Sequence, residues 1–174
     1  MKKVTIILTG VILMTIASVS VKAQSSASAT SQSSATIISL IELTNDTPLN
    51  FGTLVPTNAA GDVTITATNT RPDVTNVKFI GQENSFSAAV FTASGQAGYT
   101  FSMLLPGDNL ELTSTTVSTD KMGLKTFTST IDAAANSFPA EGEVVFGVGA
   151  TLEVAANQAH GLYTGSFPIT IAYE

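Results

Sequence analysis

Short stretches in which apolar and polar residues alternate recur along most of this 174-residue chain, and turn residues separate them. Examples are DVTITAT at 62–68, NVKFIG at 76–81 and YTFSMLL at 99–105, the last of which is followed by Pro-Gly-Asp-Asn. Successive side chains of a strand point to opposite faces, so this period of two indicates strands with one buried face. Roughly nine or ten such stretches at intervals of about 8 to 12 residues predict an all-β domain, a single antiparallel β-sandwich over residues 36–174. The one stretch of helical composition, DAAANS at 132–137, is too short to affect this prediction.

Two further stretches predict particular features of the sheet. The apolar, β-branched run TIISLIEL predicts a strand at 36–43, and Thr-Asn-Asp-Thr-Pro predicts a turn at 44–48. VVFGVGATLEV predicts a longer strand at 144–154. Within it, Gly147 and Gly149 indicate either a bulge or the close approach of another backbone segment.

The first 23 residues have the pattern of a secretory signal peptide. Lys2 and Lys3 precede an apolar run at 4–21, and Val-Lys-Ala offers a small-residue cleavage site after Ala23. The alternative is an uncleaved membrane anchor, because the run is about long enough to cross a bilayer. The next segment, QSSASATSQSSA at 24–35, has no large side chain to bury and is predicted to be a flexible extension. We therefore expect export through the general secretory pathway to the periplasm, cell surface or medium.

The charge balance excludes one class of partner. Loss of the signal peptide removes three of the 7 basic residues, so 4 remain against 13 acidic ones and the formal charge is −9. An acidic surface repels phosphate groups, and nucleic acid is therefore not an expected partner. The chain has no cysteine, which rules out disulfides. No membrane span is expected after cleavage.

Residues that could carry out catalysis or bind a metal are few. The only histidine, His160, follows Gln-Ala in a predicted turn, and without cysteine it cannot complete a zinc site of the usual composition. Asp108 with Glu111, and Glu141 with Glu143, could offer oxygen ligands to calcium, but neither pair has the spacing of a calcium loop. No catalytic residue, cofactor site or metal site is predicted, and the protein is not expected to be an enzyme.

The C-terminal stretch GLYTGSFPITIAYE, at 161–174, has the clearest alternation in the chain. The odd positions are predicted to share one face, and all of them except Gly165 carry a large side chain. They are Tyr163, Gly165, Phe167, Ile169, Ile171 and Tyr173. Pro168 lacks the N–H that a sheet ladder uses, so one side of this strand is predicted to be unpaired near it.

Three blocks resemble the family called domain of unknown function 4402, whose members are bacterial exported proteins. They are LNFGTLVPTNAAGDVTITA at 49–67, FTASGQAGYTFSMLLP at 91–106 and VGATLEVAANQAHGLYTGSFPITIAYE at 148–174. The resemblance covers most of the chain after the signal peptide. It implies a secreted or surface-located β-sandwich from a Gram-negative type of bacterium and implies no established activity.

The terminal strand is also similar to that of chaperone-usher pilin subunits and spore-coat-U-like pilins, which have a penultimate Tyr and a Gly fourteenth from the end. Tyr173 and Gly161 occupy these positions. The resemblance implies an immunoglobulin-like, pilin-like sandwich in which the terminal strand borders a groove that a neighbouring subunit fills by adding a strand. The alternative is a closed sandwich in which residues 37–43 pair inside the same molecule.

The function expected from these observations is that of an exported, non-enzymatic structural or adhesive surface protein. It could act as a pilin-like fimbrial subunit that assembles with itself or related subunits through strand edges. The alternative is a secreted ligand-binding module that recognises glycan or calcium through loops such as 106–109 and 156–160. The residues expected to matter most are structural: Gly161, Gly165, Phe167 and Tyr173.

Overall fold

A computed structural model of the protein describes residues 26–72, 74–81, 85–134 and 136–174. The predicted signal peptide therefore lies outside the described residues. The chain divides into two compact units, 1–36 and 37–174. In the first unit, the described residues 26–36 are exposed and form neither helix nor strand.

The second unit is built from antiparallel strands, as the alternation predicts, and no helix occurs among the described residues. The described residues form twelve strands rather than nine or ten, mainly because the terminal stretch is divided and a two-residue strand begins at residue 136. They are β1 (Glu42–Thr47), β2 (Thr53–Pro56), β3 (Gly61–Ile65), β4 (Val77–Ile80), β5 (Ala89–Ser94), β6 (Thr100–Leu104), β7 (Leu110–Ser114), β8 (Lys121–Ser129), β9 (Asn136–Ser137), β10 (Glu143–Val154), β11 (Tyr163–Thr164) and β12 (Thr170–Tyr173).

The described strands form one large sheet and two small sheets. The large sheet has the order β1-β5-β10-β8-β7-β11, and β3 also pairs with β10. The small sheets have the orders β12-β6-β9 and β2-β4. The second layer of the sandwich is thus made of two separate pieces.

Strand β10 is twelve residues long and connects the two halves of the large sheet. Its first half pairs with β5 and its second half with β3, while β8 lies along its other side. A side chain at Gly147 or Gly149 would collide with the carbonyl oxygens of Ala67 and Ile65. The register with β8 also shifts just after Gly149. The predicted close approach at these glycines is therefore confirmed, whereas the bulge lies opposite them, because β8 has the extra residue between Lys125 and Thr128.

The core consists of two clusters. The aromatic cluster lies between the β12-β6-β9 sheet and the first half of β10; its buried members are Ala89, Phe91, Ala93, Phe101, Met103, Phe138, Phe146 and Val148. The aliphatic cluster lies under the β2-β4 sheet; its buried members are Phe51, Val63, Ile65, Val77, Ala88, Met122, Leu124, Ala150, Leu152 and Val154. Stacked rings dominate the first cluster, with centroids 4.4 Å apart for Phe101 and Phe138 and 5.6 Å apart for Phe91 and Phe146.

The first strand lies further along the chain than the sequence predicted. The run at 36–43 is strand only from Glu42, and the predicted turn at 44–48 lies mostly within β1. The residues that suggested a turn make cross-strand contacts instead: Asn45 Nδ2 donates to Val90 O at 3.1 Å, and Thr92 Oγ1 donates to Asp46 Oδ2 at 2.6 Å. The register shifts between Asn45 and Thr47, so these residues form a bulge at the sheet edge.

The terminal stretch alternates in burial as predicted but does not form one continuous strand. Its large odd-numbered residues are half-buried and its even-numbered residues are exposed. Strand β11 pairs with β7 in the large sheet, whereas β12 pairs with β6 in a small one. Pro168 lies in the intervening stretch outside both strands, which confirms the expected break in pairing. The chain therefore changes sheets at this point.

Candidate functional site

An open groove lies on the side of the aliphatic cluster. One wall is formed by residues 49–54 and Pro56, which include most of β2, and the other by residues 158–165, which include β11. The volume of the groove is about 640 Å³. Each of β2 and β11 has one strand partner among the described residues, so the groove lies between two strand edges.

The floor of the groove is the hydrophobic core itself. Leu152 and Val154 from β10, Met122 from β8 and Leu112 from β7 line its bottom. Leu152 and Val154 are only 1% and 4% exposed. The groove therefore lies over a packed, almost fully buried core, along a line where the described part of the second layer has no strand.

Hydrogen bonds around Tyr163 hold the second wall in place. Gln158 Nε2 donates to Tyr163 Oη at 2.9 Å, and Tyr163 Oη donates to the carbonyl oxygen of Ala159 at 2.9 Å. Gln158 also ties this wall to neighbouring segments, since its Oε1 accepts from Ala155 N and its Nε2 contacts Lys121 O. The wall is thus a defined surface that ends in a strand.

Two glycines let this wall approach the sheet. Gly161 has a φ of 152°, a backbone conformation that residues with a Cβ rarely adopt. At Gly165, an added Cβ would lie 2.7 Å from Glu111 O and 2.9 Å from a methyl carbon of Leu112. Both glycines named by the sequence pattern therefore have a steric reason to be glycine.

The structure separates the predicted structural residues into two groups. Gly161, Tyr163 and Gly165 line the groove. The others pack half-buried against the aromatic cluster: Phe167, Ile169, Ile171 and Tyr173. Phe167 contacts the rings of Phe127 and Phe91 at centroid distances of 5.2 and 6.3 Å.

A second feature of interest is the apolar segment that precedes β1, residues 37–41. It forms no strand, and its side chains Ile37 and Leu40 are 94% and 84% exposed. Isoleucine and leucine side chains this exposed are unfavourable in water. The segment thus has the composition of a strand without being paired as one.

A charged cavity of about 530 Å³ lies beside the groove, on the large sheet. Lys125 Nζ lies 2.6 Å from Glu153 Oε1 and 3.1 Å from Asp62 Oδ2. The hydrogen bond that Lys125 donates to Glu153, followed by the one that it donates to Asp62, raises the pKa of Lys125 above its ordinary value of 10.5. Lys121 forms a further ion pair with Glu111. These carboxylates already have cationic partners.

The residues considered for catalysis or calcium binding are not gathered together. His160 is exposed on the wall of the groove. The Asp108 carboxylate accepts a hydrogen bond from Thr126 N at 2.6 Å, and Thr126 has a φ of 54°. Among the described residues, no three His, Asp or Glu side chains are grouped so that they could hold a metal ion.

Comparison with known proteins identifies the family. The family described as "Domain of unknown function (DUF4402)" matches residues 41–173. The chain belongs to the DUF4402 family. No curated protein and no solved structure matches it.

The limits of the DUF4402 match coincide with the limits of the sandwich. The match begins one residue before β1 and ends with the last residue of β12. It includes both walls and the floor of the groove, whereas Ile37 and Leu40 lie before it. In the described part of this DUF4402 chain, no helix has the length and hydropathy needed to cross a membrane.

Sequence reasoning did not find the floor or the β2 wall of the groove. The walls are about a hundred residues apart in the chain, and nothing in the local alternation of 49–56 indicates which edge of that strand lacks a partner. The nearest signal was the break at Pro168, which predicted an unpaired edge in the terminal stretch.

Proposed function

We propose that this DUF4402 protein is an exported, non-enzymatic structural or adhesive surface protein that assembles through strand edges, as a pilin-like subunit. The observation that carries the proposal is the groove over the aliphatic core, together with the exposed apolar segment 37–41 in the same chain. Among the described residues, no strand fills the groove, and the segment has the sequence of a strand but is not paired in any sheet.

A strand suits this groove for two reasons. Its walls include the edges of β2 and β11, whose backbone groups can pair with an added strand. Its floor is aliphatic, so it can receive every second side chain of that strand. Residues three apart on a strand point to opposite faces, so only one of Ile37 and Leu40 can face the floor. Moving Leu40 from water onto it would contribute about 1.5 to 3 kcal/mol before the cost of ordering the segment.

The segment that fills the groove comes from a second copy of the chain. In its own molecule, segment 37–41 lies beside the first residue of β10, because Glu42 pairs with Ser94 and Ser94 pairs with Glu143. The groove lies at the other end of β10, at Leu152 and Val154. Twelve residues of strand span roughly 36 Å, which is too far for Ile37 to bridge while the chain at Glu42 stays paired.

The test uses an acceptor that lacks the donor segment. A chain starting at Ile41 retains all of β1, which a chain starting at Asn45 would disrupt. We expect this acceptor to be a monomer by light scattering. In calorimetry it should bind one peptide of residues 30–41 per acceptor chain. The chain starting at Gln24 is expected to form oligomers.

Lysine at a strand edge opposes the addition of another strand, so variants can locate the contact. Thr53→Lys and Thr164→Lys, one on each wall, are expected to weaken capture of the peptide at least tenfold. Thr44→Lys is the matched control, because Thr44 is an exposed strand threonine on β1, outside the groove. A peptide with Ile37→Ser and Leu40→Ser should not be captured. Equal capture by all three lysine variants, or no capture by the unmodified acceptor, would show that the groove does not accept this strand.

Export is tested separately. Expression in a bacterial host followed by cell fractionation should place the protein outside the cytoplasm, with Gln24 as its first residue. A product that begins with Met1 and stays in the membrane fraction would favour an uncleaved anchor.

A further inference from the structure

A small hydrogen-bond network joins the apolar segment to the end of the terminal stretch. Tyr173 Oη donates to the carbonyl oxygen of Ser39 at 3.0 Å and accepts from Gln96 N at 2.7 Å. Gln96 Oε1 accepts from Ser39 N at 3.3 Å, and Ser39 Oγ lies at the same distance. The network therefore holds both backbone polar groups of Ser39, the residue at the centre of segment 37–41.

Packing fixes the position of the tyrosine hydroxyl. The Tyr173 ring meets the rings of Phe138 and Tyr99 edge-on, with centroids 6.0 and 6.1 Å away. A Cβ added at Gly95 would lie 2.7 Å from Tyr173 Oη and 2.5 Å from the Phe138 ring, so glycine is needed there to leave room. The hydroxyl is thus held in place independently of the segment that it binds.

We infer that Ser39, Gln96 and Tyr173 form a latch that retains segment 37–41 on its own molecule and must open before the segment is donated. A strand added to a sheet uses its backbone N–H and C=O groups alternately on its two sides. In the latch, the single N–H of Ser39 is already donated to Gln96, and its carbonyl oxygen is bound by Tyr173. Ser39 therefore cannot pair as the centre of a donated strand while the latch is closed.

The latch regulates the donor side of the assembly proposed above and rests on that proposal. It acts against premature assembly, because it restrains the backbone of the segment while Ile37 and Leu40 remain exposed. Its hydrogen bonds lie at the surface, where each contributes little, so opening is expected to be frequent.

Two variants open the latch in different ways. Tyr173→Phe removes the donor to Ser39 O and the acceptor of Gln96 N, whereas Gln96→Ala removes the acceptor shared by Ser39 N and Ser39 Oγ. Tyr99→Phe is the control, since that ring packs on Tyr173 but its hydroxyl is not part of the latch.

The measurement is the rate at which chains starting at Gln24 donate their segment to a labelled acceptor starting at Ile41. We expect donation to be about three to ten times faster for Tyr173→Phe and two to five times faster for Gln96→Ala. Tyr99→Phe should donate at the rate of the unmodified chain. The free peptide of residues 30–41 has no latch and sets the upper limit of the rate.

The outcomes distinguish the two proposals. If the acceptor captures the free peptide but both latch variants donate at the unmodified rate, the latch is wrong and assembly stands. If the acceptor captures nothing, assembly fails, and amide hydrogen exchange at Ser39 then decides the latch by itself. Exchange that is at least threefold faster in Gln96→Ala supports the latch, and unchanged exchange overturns it.

Discussion

The two halves of the sandwich core differ in how completely they are covered. The aromatic cluster is closed by the β12-β6-β9 sheet and by half-buried residues of the terminal stretch, and its rings stack at distances as short as 4.4 Å. The aliphatic cluster is covered by the two-stranded β2-β4 sheet and opens into the groove beside it. The same large sheet thus supports one closed half and one open half.

This difference separates stability from assembly. Large rings bury much apolar area in a fixed geometry, so the closed half is expected to contribute strongly to the stability of the domain. In the open half, a groove lies over the core between strand edges, and under the proposal made above this groove receives another strand. Changes in the closed half should therefore alter unfolding, and changes in the open half should mainly alter assembly.

The largest expected effect is that of Phe101→Ala in the closed half. Phe101 is fully buried and stacks on Phe138, so its removal should lower the free energy of unfolding by about 3 to 5 kcal/mol. The half-buried Leu54 on the groove wall gives the comparison: Leu54→Ala should cost only about 1 kcal/mol. Urea denaturation measures both. Equal losses would mean that the two halves do not differ as described.

The junction between the halves gives the next effect. Gly149→Ala would push a methyl group into the backbone of residues 65–67, and we expect a loss of about 1 to 3 kcal/mol. Gly107→Ala is the matched control, because nothing lies within 4 Å of its added Cβ. It should change stability by less than about 0.5 kcal/mol. Thermal unfolding of both variants tests this, and an unaffected Gly149→Ala would contradict the close approach.

A smaller effect is expected at the wall of the groove. Tyr163→Phe removes the hydroxyl that links Gln158 and Ala159, at a cost of about 0.5 to 1.5 kcal/mol. Because the wall loosens, capture of the peptide should weaken more than stability falls. Calorimetry with that peptide and urea denaturation together measure the two effects. A loss of stability with unchanged capture would show that the wall is not part of the binding surface.

The smallest effect concerns Lys125. Its pKa is raised in the folded protein, so its ion pairs stabilise the fold fully below about pH 10.5, and this contribution is lost as the pH rises through the higher folded value. Lys125→Met should therefore flatten the decline of the melting temperature above pH 10. The pairs are exposed, and salt should weaken them in the unmodified protein. If the melting temperature of the variant falls equally steeply above pH 10, groups other than Lys125 cause the fall.

Local patterns predicted much of the fold. The alternation at 144–154 located β10 within one residue, and the glycines in it marked the crossing of residues 65–67. The alternation at 161–174 predicted which side chains are half-buried. The prediction was wrong at 44–48, where Asn45 and Asp46 bond across to β5 instead of forming a turn, because such side chains satisfy a bulge as well as a turn.

The candidate site was only partly predictable. Gly161, Tyr163 and Gly165 were identified from the terminal pattern, yet Leu152 and Met122 gave no sign that they form the floor of a groove. The role of Tyr173 in binding Ser39 was equally hidden, since the two residues are 134 positions apart. Contacts between distant segments depend on how strands are ordered, and the alternation within one strand carries no such information.

Side-chain periodicity and local backbone sterics are enough to predict an all-β domain, the residues of each strand that face the core, and the places where glycine and proline interrupt the ladders. These local rules do not predict that the second layer is divided, that a groove lies over the aliphatic cluster, or that the apolar segment before β1 stays outside the sheets. These features depend on which strand edges meet, and that is settled by packing across the whole sandwich.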